Sequence, residues 1–189
     1  MDSERPLALA PGVAPPERID LGDLVIRRWQ PRDSEAQFRA IEASYEQLHA
    51  WMPWLDGPRT LAQQREFMQA QAAGWPANGN CNYGVFDSGG ILLASLGLHD
   101  RVGSGTLEIG YWCHTGHTGR GVITRTVAAL TEIALALPGI DHIQICCDAA
   151  NERSAAVPRR LGYRLDRIQA REQRAPAESG RGMVWVRDR

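Results

Sequence analysis

Apolar residues in the first part of the chain recur mainly at helical spacing. This spacing predicts helices near residues 31–45, 48–54 and 60–73. Thr60 is placed to cap the third helix, because its hydroxyl can accept a backbone N–H of the first turn. Pro53 interrupts the second helix, since proline lacks an N–H and crowds the preceding turn. This part of the chain is therefore predicted to be mostly helical.

Beyond about residue 80, apolar and polar positions alternate, which is typical of strands. Residues 87–90 (Asp-Ser-Gly-Gly) separate two alternating runs and predict a tight hairpin. Helical spacing returns at residues 119–137 and 152–161. Strands are predicted at residues 24–29, 82–86, 91–98, 106–113, 142–147, 163–169 and 183–187.

The order of these elements predicts one mixed α/β domain over residues 19–189. Helices come first, a strand meander follows, and alternating strands and helices complete the chain. Residues 1–18 are rich in proline and alanine and show no apolar period, so we expect them to form a flexible N-terminal arm.

The amino-acid composition excludes several kinds of catalytic and binding site. The chain has 189 residues, 21 basic and 22 acidic side chains, and a formal net charge of −1. Every basic residue is arginine, which excludes a Walker phosphate loop, a Schiff-base lysine and a lysine general base. The near-neutral charge argues against broad nucleic-acid binding, so no nucleic-acid partner is expected.

Neither a metal site nor a membrane segment is expected. His114 and His117 have no cysteine or carboxylate at metal-ligand spacing. The N-terminus lacks the pattern of a signal peptide, and no apolar run approaches 18 residues. We therefore expect a soluble, cytoplasmic protein. Four cysteines lack Cys-x-x-Cys spacing and are interpreted as reduced: Cys81, Cys113, Cys146 and Cys147.

The predicted strand at residues 106–113 leads through a glycine-rich loop into the longest predicted helix. Gly119 and Gly121 permit a sharp turn and leave backbone amides free at the helix N-terminus, an arrangement that binds phosphate. A dinucleotide-binding fingerprint would need a third glycine where this chain has Thr124. A plain glycine turn before a helix is the other interpretation.

A second motif follows the longest predicted helix. It reads Asn-Glu-Arg-Ser-Ala-Ala-Val at residues 151–157 and Arg-Leu-Gly-Tyr at residues 160–163. Asn151 is suited to cap a helix and Gly162 to end it. With Glu-Ile-Gly-Tyr-Trp at residues 108–112 and Leu-x-x-Trp-Met-Pro-Trp at residues 48–54, the pattern resembles the GNAT superfamily of acyl-CoA N-acyltransferases. More narrowly, it resembles the RimJ/RimL type, the ribosomal-protein alanine and serine acetyltransferases. The resemblance covers about residues 22 to 187.

The resemblance implies a fold and a co-substrate. The fold is a single α/β domain whose mixed, mostly antiparallel sheet is splayed between its fourth and fifth strands, with helices on both faces. The co-substrate is acetyl-CoA, whose thioester arm would lie in the gap. Residues 108–113 would pair with the pantetheine, and residues 116–121 would hold the pyrophosphate.

The loop departs from the family at one position. Gly116 stands where the family often has Gln or Arg, and Arg120 is the candidate to supply the missing charge. The residues expected to bind the co-substrate are Tyr111, Trp112, Cys113, His114, Gly116, His117, Thr118, Gly119, Arg120, Gly121, Val122, Asn151 and Ser154.

The reaction that the resemblance implies is direct attack of an amine on the thioester, which needs a base and an acid. Ser154 stands where RimL-type enzymes have their proposed acid. Glu172 falls within one residue of the RimL-type base, whereas Glu108 lies beside the splay, where many other GNAT enzymes place one. Both carboxylates stay open as catalytic candidates, and we place Glu108 first.

Pro158 is unexpected within a helix. It cannot donate to the carbonyl of Ser154, and its ring crowds that carbonyl. The resulting bend would leave a polar group free beside the co-substrate, unless a short helix simply tolerates the proline.

The acceptor is expected to be a primary amine, either a protein N-terminus or a small molecule, with Trp51 and Trp54 shaping its site. Residues 1–157 hold 12 arginines against 18 acids, and residues 158–189 hold nine against four. The acidic part includes the helices that, in this family, face the acceptor. A cationic acceptor fits this balance. Three alternatives stay open: a succinyl-CoA-type donor, a non-catalytic acyl-CoA-binding module, and a nucleotide-binding domain. A homodimer is a further expectation, with no motif that decides it.

Overall fold

The computed structural model describes residues 7–75 and 79–189. Within these residues, eight strands form one sheet in the order β1-β2-β3-β4-β5-β6-β8-β7, antiparallel except for the β5–β6 pair. The strands are β1 Arg18–Asp20, β2 Leu24–Arg28, β3 Asn80–Asp87, β4 Leu92–Gly103, β5 Thr106–Cys113, β6 His142–Asp148, β7 Arg164–Ala170 and β8 Arg181–Asp188. The α helices are α1 Ser34–Ala43, α2 Tyr45–His49, α3 Leu61–Ala73, α4 Val122–Leu135 and α5 Glu152–Arg160.

Most predicted elements are confirmed within a few residues, and the largest difference lies after α2. The helix predicted over residues 48–54 ends at His49, so Trp51 and Trp54 lie in a turn rather than on a helix. Pro53 gives the reason, since it removes one backbone donor and disfavours helical geometry at the residue before it. Thr60 caps α3 as predicted, accepting from the backbone N–H of Gln63 at 3.2 Å.

The chain before residue 20 contacts the sheet. Strand β1 was not predicted, because three residues with one buried side chain, Ile19, give too short a pattern. Upstream of it, the amides of Ala8 and Leu9 donate to the Asp100 carboxylate at 2.9 and 2.8 Å. The expected arm therefore lies against the end of β4 over part of its length, and residues 1–6 of that arm lie outside the described residues.

Helices cover both faces of the sheet. Helix α4 buries Val127, Leu130 and Ala134 completely against one face, where α5 also packs. Complete burial of an aliphatic side chain such as Leu130 stabilises the fold by roughly 1.5–3 kcal/mol. Helices α1 and α3 cover the opposite face through a smaller cluster of Trp29, Ala40, Met68, Phe86 and Leu92.

The sheet is splayed at its one parallel pair. Strands β5 and β6 pair only at Thr106–Glu108 with His142–Gln144, and from Ile109 onward β5 pairs only with β4. These two strands are the fourth and fifth of the strands predicted from the sequence. They are the fifth and sixth in the structure because β1 was not predicted. The predicted splay is confirmed, and it opens beside Tyr111 and the N-terminus of α5.

Candidate active site

The glycine-rich loop ends in a helix N-terminus that is open to a ligand. Gly119 and Gly121 have φ of +74° and +73°, the left-handed region that favours glycine, and a Cβ at either would meet no atom within 4 Å. Arg125 makes the first intrahelical bond of α4, to the Gly121 carbonyl at 3.0 Å, so the amides before it have no partner within the helix. Such an end attracts anions.

Hydrogen bonds within the loop and to the neighbouring helices fix the first half of the loop. Residues Thr115–His117 form a 3-10 turn in which the Gly116 N–H donates to Nδ1 of His114 at 3.0 Å. The Thr115 N–H donates to the Ser44 hydroxyl at 2.9 Å, which ties the loop to the α1–α2 junction. The rings of His114 and His117 lie 5.0 Å apart, and burial together with the charge of His114 lowers the pKa of His117.

Other residues expected to bind the co-substrate lie around this loop in different environments. Thr118 and Arg120 are exposed beside the open helix end, whereas the Val122 side chain is buried in the core, which leaves its backbone as the part facing the loop. Cys113 packs beside the Leu93 carbonyl, and burial raises the pKa of its thiol to about 11. Asn151 caps α5 as predicted, accepting from the Ser154 N–H at 3.1 Å.

Tyr111 and Ser154 meet across the splay. The Tyr111 hydroxyl donates to the backbone carbonyl of Ser154 at 2.9 Å, and the Ser154 hydroxyl donates to the Tyr111 oxygen at 3.2 Å. Burial raises the pKa of the tyrosine, so it stays protonated and remains a donor. The two side chains thus connect β5 to α5 next to the gap.

A cavity of about 890 Å³ lies beside the splay, bordered by α1, α3 and the strands β3 to β6. Two predicted catalytic residues, Glu108 and Ser154, line it. Besides Ser154, five other predicted binding residues line it: Trp51, Trp54, Tyr111, Trp112 and Asn151. The open glycine loop follows directly from the same strand β5, so one edge of the sheet connects the cavity to the anion-binding helix end.

Glu108 is buried at this cavity, with 9% of its surface exposed. One carboxylate oxygen pairs with the Arg101 guanidinium, and the other accepts from the Gln144 carboxamide at 3.2 Å. Both partners come from neighbouring strands, β4 and β6, so the sheet fixes the position of this carboxylate.

Glu172 is not brought to the cavity. Its side chain is exposed in the β7–β8 connection, and it is not among the residues that line the cavity. The carboxylate that this connection contributes is Glu178, which is buried and accepts from Arg171 at 3.0 Å and from the Arg174 N–H at 2.6 Å. Sequence reasoning missed Glu178, because the irregular connection gives no periodic pattern from which to read a buried position.

His99 is a second residue that sequence reasoning missed. It lines the cavity from β4, and its Nδ1 lies 2.7 Å from the Asn80 side-chain oxygen. Burial, reinforced by the Arg101 charge, lowers the pKa of His99 to about 4, so the imidazole is neutral near pH 7. Alternation along β4 places His99 and Arg101 on one face of the strand, but it does not show which neighbours bury the histidine.

The other wall of the cavity carries uncharged polar side chains from α1 and α3. Gln64 is fully buried and donates to Gln37, while Asn82 donates to Gln71. The Gln64 carbonyl oxygen has no partner within the described part of the chain, and it lies at the cavity wall. This wall therefore offers hydrogen bonds without charge.

Neither a metal cluster nor a membrane-crossing helix is found among residues 7–75 and 79–189. No group of three or more His, Cys, Asp or Glu side chains is placed to hold a metal ion. No helix in these ranges combines the length and apolar character needed to span a bilayer.

Comparison with known proteins decides the family. Residues 23–164, three quarters of the chain, match the family described as the acetyltransferase (GNAT) domain. The chain belongs to the GNAT acetyltransferases. The Bacillus subtilis protein provisionally named ribosomal N-acetyltransferase YdaF is 28% identical to this acetyltransferase over 151 residues, 79% of this chain and 81% of its own length.

Two solved structures share the fold. The ribosomal L7/L12 α-N-protein acetyltransferase RimL in complex with CoA superposes with a TM-score of 0.82 at 18% identity, covering 91% of this chain and 98% of its own. The microcin C7 self-immunity acetyltransferase MccE, in complex with acetyl-CoA and AMP, superposes with a TM-score of 0.81 at 14% identity, covering 89% of this chain and 93% of its own. The RimJ/RimL resemblance read from the motifs therefore agrees with the relatives of this acetyltransferase.

Proposed function

We propose that this acetyltransferase moves an acetyl group from acetyl-CoA to a primary amine by direct attack of the amine on the thioester. The observation that carries this proposal is that Glu108 and Ser154 line one cavity, from opposite sides of the β5–β6 splay. A base and an acid on the two sides of a gap are what a direct transfer requires.

The residues at the splay fit acetyl-CoA. The open amides before Arg125 suit the pyrophosphate, and the edge of β5 beyond Ile109, unpaired with β6, can pair with an amide-bearing arm. Bound there, acetyl-CoA supplies an activated acyl group on a thiol leaving group. Arg120 lies exposed at the loop, where its charge can reach the phosphates.

Proton transfer is assigned to two side chains. Glu108 takes one proton from the acceptor ammonium, which frees the nitrogen lone pair for attack on the thioester carbon. As the carbon–sulfur bond breaks, the Ser154 hydroxyl gives its proton to the departing sulfur. The nitrogen loses its second proton as the amide forms, and this proton restores Ser154.

The acceptor that fits best is the α-amine of a protein N-terminus. An α-amino group has a pKa of roughly 8 against about 10.4 for a lysine side chain, so less free energy is needed to deprotonate it. The names of YdaF and RimL both refer to ribosomal acceptors, which supports this choice and a cytoplasmic location. Trp51 and Trp54 lie at the cavity, where we propose that they contact the acceptor.

The test is a donor and acceptor panel followed by thiol release and by the mass of the product. We expect a gain of one acetyl group on peptides with a free N-terminus and none on the same peptides blocked at that position. Turnover with succinyl-CoA alone would replace the acetyl assignment, which Arg171 and Arg174 at the cavity make worth testing.

Two further outcomes would redirect the proposal. Tight CoA binding without thiol release across all acceptors would indicate a non-catalytic binding module. Stabilisation by NAD or ATP but not by CoA would remove the acyl-CoA assignment. The expected homodimer stays a prediction, which sedimentation of the purified protein would test.

A further inference from the structure

The backbone carbonyl of Ser154 lacks its normal helical donor. In α5 that donor would be the N–H of residue 158, and residue 158 is a proline. The proline ring also crowds the carbonyl four residues before it and pushes it away from the helix axis. Pro158 is buried, and the Ser154 carbonyl that its ring crowds is bound by a donor from another part of the protein.

That donor is the hydroxyl of Tyr111, at 2.9 Å. A tyrosine hydroxyl has one hydrogen, and this bond uses it. The contact of 3.2 Å between the two hydroxyls must therefore have Ser154 as the donor. These two bonds hold the Ser154 hydroxyl at the edge of the splay. As the thiol leaves, the hydroxyl turns its hydrogen from the Tyr111 oxygen to the sulfur.

We propose that Pro158 is a positioning residue: by withholding an amide hydrogen it reserves the Ser154 carbonyl for Tyr111, which then holds the Ser154 hydroxyl in place at the edge of the splay. The inference rests on the proposed function, in which Ser154 protonates the leaving thiol. It gives the proline a role that opposes stability, because proline is the least favourable residue inside a helix.

This opposition gives a sharp test. Pro158→Ala should raise the Tm, since the helix regains a hydrogen bond, while kcat falls about tenfold and the KM for acetyl-CoA is unchanged. Tyr111→Phe should lower kcat to a similar extent. The double variant should be no slower than Tyr111→Phe alone, because both changes remove the same contact.

Two control variants lie outside the site. Pro138→Ala changes a proline that follows α4, and Tyr163→Phe removes a buried hydroxyl that contacts Thr131. Both should leave kcat near the wild-type value. Wild-type kcat in Pro158→Ala, or losses that multiply in the double variant, would overturn the proposal.

A crystal structure of Pro158→Ala provides a readout that does not need activity. We expect the new backbone amide at position 158 to donate to the Ser154 carbonyl and the Tyr111 hydroxyl to move away from it. A tyrosine that keeps its 2.9 Å contact in that variant would refute the positioning role even if the wild type proved inactive on every acceptor. Failure of the proposed function, by contrast, would be seen in the wild type itself.

Discussion

His99 and Glu108 face each other directly across strands β4 and β5, and both side chains line the cavity. Nδ1 of His99 is engaged by Asn80, which leaves Nε2 as an acceptor on a neutral ring. A carboxylate beside a neutral imidazole gives two acceptors at adjacent positions. An acceptor ammonium carries three donors, so this pair suits the amine that the proposed reaction consumes.

The low pKa of His99 predicts a loss of stability in mild acid. Below about pH 6.5 the unfolded chain binds a proton at His99 that the folded chain rejects down to about pH 4. The free energy of unfolding should therefore fall as the pH falls through this window, by up to about 3 kcal/mol from this residue. Urea unfolding at pH 7 and pH 4.5 measures the change.

His99→Asn should flatten that pH dependence, because asparagine does not titrate. The control is His142→Asn, which removes an exposed histidine paired with Asp188. A wild type that is equally stable at both pH values, or a His99→Asn variant with the full pH dependence, would show that His99 is not the group responsible.

Glu108→Gln should lower kcat about 100-fold, because the carboxamide cannot take the proton of the amine. CoA affinity should stay the same, since the Glu108 side chain lines the cavity and not the loop proposed to hold the pyrophosphate. Steady-state kinetics and calorimetric titration of CoA separate the two effects. Glu172→Gln is the matched control, and the base would be reassigned if that variant alone lost turnover.

Ser154→Ala should also reduce kcat about 100-fold with acetyl-CoA. The deficit should shrink with an aryl thioester, because a thiol of low pKa leaves without protonation. Ser95→Ala is the control, since its hydroxyl also lies at the cavity but donates to the Tyr83 carbonyl at 3.1 Å. A loss that is equal for both kinds of thioester would argue against Ser154 as the acid.

Gly121→Trp should raise the Kd for CoA at least about tenfold, because the side chain would fill the space in front of the α4 amides. Gly12→Trp is the control. It shares the left-handed backbone, with φ of +82°, and the open surroundings, but lies in the N-terminal segment. Calorimetry on both variants distinguishes a filled phosphate site from backbone strain, and equal affinities for CoA would remove the loop assignment.

Much of the fold could be read from spacing. Strand β5 was predicted with its observed bounds, and α4 was recognised because its apolar stripe is long and ends at Pro138 and Gly139. Strand β1 was missed because its pattern is too short. Trp51 and Trp54 were placed on a helix because aromatic spacing alone does not show where Pro53 ends that helix.

The candidate site likewise contains residues that the sequence pointed to and residues that it did not. The glycine loop could be named because its geometry follows from the local sequence, and Glu108 because the resemblance to GNAT enzymes pointed to its strand. His99 and Glu178 could not, because their importance comes from the neighbours that bury them: Asn80 and Arg101 around the histidine, Arg171 around the carboxylate.

The sequence by itself determined the order of elements, the family and the open helix end, since periodicity, capping residues and glycines act over a few residues. It also determined that Pro158 would leave the Ser154 carbonyl without a helical donor. Only the tertiary structure decided which group donates a hydrogen bond to that carbonyl. Tyr111 lies 43 residues away in the chain, and it reaches Ser154 because the splay between β5 and β6 brings the two together.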